Sequence, residues 1–344
     1  MKVNNKYISE DDLITSYNLA RNCDKVFVEA ITHDQFENIK NKYSKILSKN
    51  DILIVYKNIR LEICENDIIF CHSNYIHELF YLLKKINNLK NIKLVTSQSD
   101  VKITKKLFNT KPKCISEWYG INIDYKHEKL FPIPLGIANN YSPKNLTYAN
   151  FLGSKKNMNK LRQIYCNYNP NTNNDERKNI KDKFKSNDLL FFDDPDLSFD
   201  QYASRLTEYE FVLCPWGNGF DTHRFWETLY SGSIPVTKFH HTYSFVPSSS
   251  AIFIDSYDEI NENLLDKFLK NYDQINPDLL TVPYWINLIN NSYIESDESS
   301  IIFESKLITS YRIYEQLLFF KSASYLKKLK YYFSKIPKLL RKFQ

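Results

Sequence analysis

The sequence predicts an α/β protein of two Rossmann-like domains, followed by a basic amphipathic C-terminal tail. Three observations carry this expectation. Short apolar runs suited to buried parallel strands alternate with helical patterns along most of the chain. At roughly 150 residues per domain, a chain of 344 residues fits two such units. Residues 211–236, FVLCPWGNGFDTHRFWETLYSGSIPV, read as strand, glycine loop, helix and strand in immediate succession. Hydrophobic residues make up 43% of the chain, enough for two sizeable cores.

In the first domain, 1–149, the runs KVFVEA (25–30), DILIVY (51–56) and DIIFCH (67–72) are apolar enough for strands. A helix follows over 76–86, then a strand over 92–96. FPIPLGI (131–137) is the last strand, and the polar run 138–149 is the crossing segment. In the second domain, 150–304, residues 151–153 and 162–167 open a new sheet. Residues 175–184 read as helix and 189–192 as strand. Ser198 and Gln201 have capping-box spacing, with Phe199, Tyr202 and Leu206 on one face of the helix they would start. After 211–236 come a short strand at 251–254 and a helix at 258–271. A further helix is expected over 305–324 and the tail over 325–344. The chain has no internal repeat, no G-x-G-x-x-G fingerprint and no P-loop lysine.

Six glycines serve the whole chain, and three of them, Gly217, Gly219 and Gly232, fall within 211–236. Asp221 is placed to N-cap a helix over 222–231, and Gly232 to end it. A helix N-terminus offers free N–H groups and favours an anion. His223 and Arg224 in the first turn oppose the helix dipole, so they are poor choices for stability alone. They make sense beneath a diphosphate, which arginine grips through two parallel bonds. Gly217, Asn218 and Gly219 would let the backbone approach that ligand closely. Glu227 follows Arg224 at i+3 on the same face and is placed to accept bonds from two ribose hydroxyls. The plainer alternative is an ordinary βαβ unit with an Arg224–Glu227 surface pair.

The pattern P-x-G-N-G-x-D-T-H-R-x-W-E-T-L-x-x-G-S-I-P-V resembles the donor-site signature of exostosin-like glycosyltransferases and related bacterial surface-polysaccharide enzymes. The likeness is densest there and extends over 94–236. KLVTSQSD (93–100), Trp118, Asn122, PIPLGI (132–137) and IYCNYNPNTNNDER (164–177) belong to it. It implies a GT-B fold, with a nucleotide sugar bound by the second domain and a glycan or lipid-linked glycan acceptor by the first. It also implies sugar transfer without a metal or other cofactor, and a terminal helix (305–324) that packs back on the first domain.

Thr172, Asn173 and Arg177 follow a strand and open a helix. In a doubly wound sheet they would sit beside 217–224, because ligands collect at the carboxyl ends of strands. Arg177 is then a second phosphate clamp, or else an exposed loop charge. The leaving nucleoside diphosphate would be stabilised by Arg224, the helix N-terminus and Arg177. Inversion at the anomeric carbon needs a base for the acceptor hydroxyl. The candidates, in order, are Asp100 at the end of KLVTSQSD, His72 at the end of DIIFCH, and Glu117 before Trp118 in an acceptor-side loop. Asp100 is equally placed to cap a helix beginning near Val101.

Two other classes compete. Asp193, Asp194 and Asp196 could hold Mg or Mn with a diphosphate, as in a metal-dependent GT-A transferase. A non-catalytic carbohydrate-binding protein would use the 25 Tyr and 23 Phe for sugar stacking. A dehydrogenase is disfavoured by the missing dinucleotide fingerprint.

Charge and cysteine usage bear on location. The tail, YLKKLKYYFSKIPKLLRKFQ, holds seven Lys/Arg and no acid, so the other residues sum to −1 of the net +6. A nucleic-acid binder would carry a basic stripe on its folded domain. The tail instead alternates basic and apolar residues, which suits an anionic membrane surface, or leaves a solvated terminus. Cys23, Cys64, Cys71, Cys114, Cys166 and Cys214 are scattered without a C-x-x-C, the pattern of a reducing cytoplasm. No apolar run nears the ~18 residues needed to span a bilayer, and no leader peptide is recognised. The expectation is a cytoplasmic protein, peripheral on the membrane.

Overall fold

The computed structural model describes residues 1–3, 6–139, 145–153, 159–194, 196–305 and 308. Two sheets organise them. The first contains β1 (Lys25–Thr32), β2 (Ser44–Lys49), β3 (Leu53–Asn58), β4 (Ile68–His72), β5 (Ile92–Ser97), β6 (Ile115–Gly120) and β7 (Leu130–Pro132). Their spatial order is β7, β6, β5, β4, β1, β3, β2. β7, β6, β5, β4 and β1 are parallel. β3 and β2 extend one edge antiparallel, so DILIVY is a strand but not a parallel one. β4 and β5 are buried at every position, as a parallel strand covered on both faces requires.

The second sheet contains β8 (Leu161–Cys166), β9 (Leu190–Phe192), β10 (Tyr209–Leu213), β11 (Ile234–Lys238) and β12 (Ile252–Ile254). All pairs are parallel, in the order β9, β8, β10, β11, β12. The chain steps one way from β8 to β9 and the other way from β10 onward. Loops leaving adjacent β8 and β10 therefore diverge and open a crevice, the topological switch point of a doubly wound sheet. The expected α/β class with two Rossmann-like sheets is what the chain forms.

Several elements differ from expectation. Glu117 and Trp118, read as part of an acceptor-side loop, stand in β6. Trp118 there is fully buried and donates its Nε1–H to Thr96 Oγ1 at 2.9 Å. Residues 151–153 belong to the helix Tyr148–Gly153, and 175–184 break into Asn174–Arg177 and Ile180–Lys183. The helix Val282–Ile289 and the strand Ser299–Phe303 were not foreseen. That strand pairs antiparallel with Arg60–Cys64, so the chain is back on the first domain before residue 304. Fully buried Lys57, held by Glu78 and Glu304, fixes this return. The capping box at Ser198 and Gln201 forms as read, and starts the helix Phe199–Glu208. The terminal helix (305–324) and the tail (325–344) lie outside the described residues, Ser305 and Ile308 apart. Among the described residues no helix is long and apolar enough to cross a membrane.

One apolar core joins the two sheets. Phe70, Val95 and Tyr119 of the first share it with Val212 of the second and with Trp226 and Trp285 on the helices His223–Tyr230 and Val282–Ile289. Leu13 and Ile14 of the N-terminal segment complete it, with Leu13 bridged to Thr281. Gly136 makes this approach possible. Its φ is 70°, and a Cβ there would lie 2.0 Å from the Ile14 carbonyl oxygen.

Candidate active site

The carboxyl ends of the two sheets face each other. The loops after β5, β6 and β7 meet the loops after β10 and β11. Lys102 Nζ lies 4.0 Å from the Phe220 ring centroid. Asp221 N donates to Asn122 Oδ1 at 3.0 Å, and Ile123 N donates to Thr242 Oγ1 at 3.2 Å. Leu135 N donates to Asp221 Oδ2 at 2.8 Å, and His240 pairs with Asp124 at 3.5 Å. His223 Nδ1 lies 2.8 Å from the Gly136 carbonyl oxygen. A carbonyl can only accept, so Nδ1 carries a proton and donates it to Gly136 O.

The glycine segment is built differently from its sequence reading. Its helix runs His223–Tyr230, and Thr222 is the N-cap without a side-chain cap bond. Asp221 is not the cap. It is 3% exposed and accepts from Leu135 N and, at 2.7 Å, from Trp226 Nε1. Burial outweighs these bonds and pushes its carboxyl up to about 7. Gly219 gives room to the first domain rather than to a ligand, since a Cβ there would lie 2.6 Å from Asn122 Oδ1. A Cβ on Gly217 would meet only ordinary contacts, the nearest at 3.4 Å from Arg177. Asn218 is exposed at the loop tip.

Glu227 forms neither a surface pair nor an open ribose acceptor. It is 2% exposed, and its two oxygens accept from Leu146 N at 3.2 Å and Tyr202 Oη at 3.0 Å. Arg224 Nε donates to the same Tyr202 hydroxyl at 3.1 Å, and its guanidinium lies 5.5 Å over that ring. The half-buried Arg224 is thereby steered through Tyr202 by a carboxylate one turn deeper.

The loop after β8 supplies the other wall at the switch point. Asn173 caps the helix Asn174–Arg177 and donates Nδ2 to Gly217 O at 2.8 Å. Arg177 is 6% exposed, so it is not a loose loop charge. It donates Nε to Trp216 O at 2.7 Å, Nη2 to Pro215 O at 2.9 Å and Nη1 to Asn169 O at 3.3 Å. Burial, then the charge of Arg224, drives its pKa down to about 10. Nearby carboxylates pair elsewhere: Asp193 with Arg205 and Glu176 with Lys238. The buried Tyr168 hydroxyl has no partner among the described residues, and Arg177 lies 5.8 Å over its ring. The crevice thus combines two guanidinium groups with a spare O–H donor.

The candidate bases separate clearly. Asp100 is exposed on the loop after β5. It caps nothing, since the next helix is Lys105–Phe108 and Thr104 caps it. His72 ends β4 at the same rim but is buried, and its Nδ1 accepts from Asn74 N at 3.3 Å. Burial lowers its pKa to about 4, so at neutral pH it is uncharged with the proton on Nε2, a donor rather than a base. Glu117 is not in an acceptor-side loop. It lies beside Lys93 near the amino end of β6, away from the rim, and accepts from Tyr119 Oη at 2.9 Å. Asp193 and Asp194 pair with Arg205 and Lys181 at 3.0 and 3.3 Å, and no group of three potential metal ligands, Asp196 included, gathers among the described residues.

Sequence reasoning missed the roles of Asn122, Tyr168 and Tyr202. Tyr202 stands on the helix face read as apolar, and only its hydroxyl marks it as more than core. Asn122 stands in a stretch already singled out, without a local pattern that assigns it a partner.

No family model matches the chain, and no curated protein does. Among solved structures, an alpha1,3-fucosyltransferase with GDP-fucose is similar at 10% identity and a TM-score of 0.31, over 73% of this chain and 77% of that one. A second alpha1,3-fucosyltransferase structure is similar at 14% identity and a TM-score of 0.33, over 73% and 79%. At these values the two likenesses decide nothing about this chain.

Proposed function

We propose that this protein is a nucleotide-sugar-dependent glycosyltransferase of the GT-B type, moving a sugar to a hydroxyl of a glycan or glycolipid. The observation that carries the reading is the convergence of Arg177 and Arg224 in the switch-point crevice, where Glu227 offsets Arg224 while Asp193 and Glu176 pair with other cations. Two guanidinium groups against one carboxylate leave an excess of positive charge, which calls for an anion. A nucleoside diphosphate in a crevice between two facing Rossmann-like sheets answers that need. The motif over 211–236 supports the donor class, and with it an acceptor in surface polysaccharide synthesis.

In the proposed reaction the acceptor oxygen attacks the anomeric carbon with inversion, the sugar–phosphate bond breaks, and the nucleoside diphosphate leaves. Arg224 takes the growing negative charge, while Arg177 holds the loop that receives it. Asp100 takes the acceptor proton. It is exposed, and the same loop carries Lys102 against Phe220 of the donor loop. Asp100→Asn then retains nucleotide binding and loses transfer. No metal is required in this scheme.

The test is a thermal-shift panel of nucleoside diphosphates and nucleotide sugars, with and without EDTA, on wild type and Arg224→Ala. A ligand at about 100 times its Kd stabilises the native state by ~2.7 kcal/mol. Losing one or two charge-assisted bonds weakens binding by roughly ten- to a hundredfold. The expected result is a metal-independent shift that the variant loses. A folded wild type that shifts with no nucleotide refutes the reading and favours a carbohydrate-binding protein.

A further inference from the structure

We propose that Asn122, from the first domain, is a positioning residue for the donor loop of the second. The inference rests on the nucleotide-sugar reading of that loop. Asn122 is 1% exposed and has φ 54°, in the left-handed region that asparagine adopts more readily than other residues with a side chain. Two contacts hold it in place. Its carbonyl accepts from Ile103 N at 3.0 Å, within the small parallel pairing of Ile123–Asp124 with Ile103–Thr104. Its Oδ1 accepts from Asp221 N at 3.0 Å, across the domain boundary.

The side chain occupies the space that a Cβ on Gly219 would need, with Oδ1, Nδ2 and Cγ within 2.6, 2.7 and 2.9 Å of that position. Residues 217 and 219 are themselves joined, Gly217 N donating to Gly219 O at 3.1 Å. Gly217 O in turn accepts from Asn173 Nδ2. The loop is therefore gripped from both sides, by Asn173 of its own domain and by Asn122 of the other. Asn122 Nδ2 has no partner among the described residues, so the grip runs through Oδ1 alone. The glycine at 219 is needed because an amide from the acceptor half sits there. Nucleotide affinity is then set partly by a residue that lies outside the donor domain.

A double-mutant cycle tests this. Alanine at 219 must displace the Asn122 amide and so break its bond to Asp221 N. Once residue 122 is alanine, the methyl group meets no amide and there is no bond left to lose. Wild type, Asn122→Ala, Gly219→Ala and the double variant are checked for native folding by circular dichroism. Each is then titrated calorimetrically with GDP and with UDP. Each single variant is expected to bind the preferred diphosphate about tenfold more weakly, the loss of one ordering hydrogen bond. The double variant should be no weaker than either single, giving about tenfold coupling. Asn122→Asp keeps the accepting oxygen and should bind within about twofold of wild type, while Asn122→Leu fills the space without an acceptor and should bind about tenfold more weakly, which a merely space-filling role would not predict. Asn122→Ala that folds and binds as wild type, or losses that multiply in the double variant, overturns the proposal. Should Asn122→Ala fail to fold, Gly219→Ala with wild-type affinity overturns it equally. A folded wild type that binds neither these nor other nucleoside diphosphates refutes the functional reading itself.

Discussion

Replacing Asp221 with asparagine removes part of the pH dependence of this protein's stability. Asp221 is 3% exposed, and burial raises its carboxyl from an ordinary 3.8 to about 7 in spite of the Leu135 and Trp226 donors. Between those values the native state holds the proton and the unfolded chain does not. The contribution of Asp221 therefore favours the native state at low pH and is lost as pH rises through about 7. Taking the native and unfolded values together, the loss between about pH 5 and about pH 8 is ~2.5 kcal/mol. Asparagine does not titrate, and its NH₂ faces one of two groups that need an acceptor. It gives up one hydrogen bond at every pH, at a cost of ~1–3 kcal/mol. Other buried groups shift as well, Glu29 and His72 among them. Glu29, raised to about 7 by burial, adds to the trend. His72, lowered to about 4, opposes it, since its contribution is lost as pH falls below an ordinary 6.5. Both cancel when the two proteins are compared at equal pH. Urea unfolding at about pH 5, 6.5 and 8 reads the difference, and wild type should gain on the variant by ~2.5 kcal/mol toward the acid end. A difference that stays flat with pH would mean that Asp221 titrates as an exposed carboxylate and does not seal the two domains.

Three further outcomes follow from the packing. Lys57→Met leaves Glu304, 3% exposed, without that cation and should cost ~3–5 kcal/mol in urea unfolding, most of it recovered by adding Glu304→Leu. Gly136→Ala places a methyl 2.0 Å from Ile14 O at φ +70°, so it should destabilise by about 3 kcal/mol and speed hydrogen exchange at Ile137 N, which donates to Ile14 O at 3.0 Å. Deleting 325–344 should lower co-sedimentation with anionic vesicles and leave transfer to a soluble acceptor intact. Unchanged sedimentation removes the anchor.

Local pattern was enough to determine the two-sheet architecture. Parallel strands covered on both faces read as largely apolar runs, and those at 25–30, 67–72, 92–96 and 211–214 do, with Glu29 and Lys93 as buried charged exceptions. Capping chemistry at Ser198 is equally local, and so is the clustering of Gly217, Gly219, Arg224 and Glu227 within a dozen residues. β6 escaped because its buried Trp118 and Tyr119 stand beside Ser116 and Glu117, which read as loop, and because its strand character comes from β5 and β7 on either side. The roles of the motif residues were decided only in three dimensions. Asp221 meets Asn122, 99 positions away, and Glu227 meets Leu146, 81 positions away. Such pairings leave no periodic trace. A buried carboxylate and an exposed one are written with the same letter, and only the fold says which donors it must satisfy.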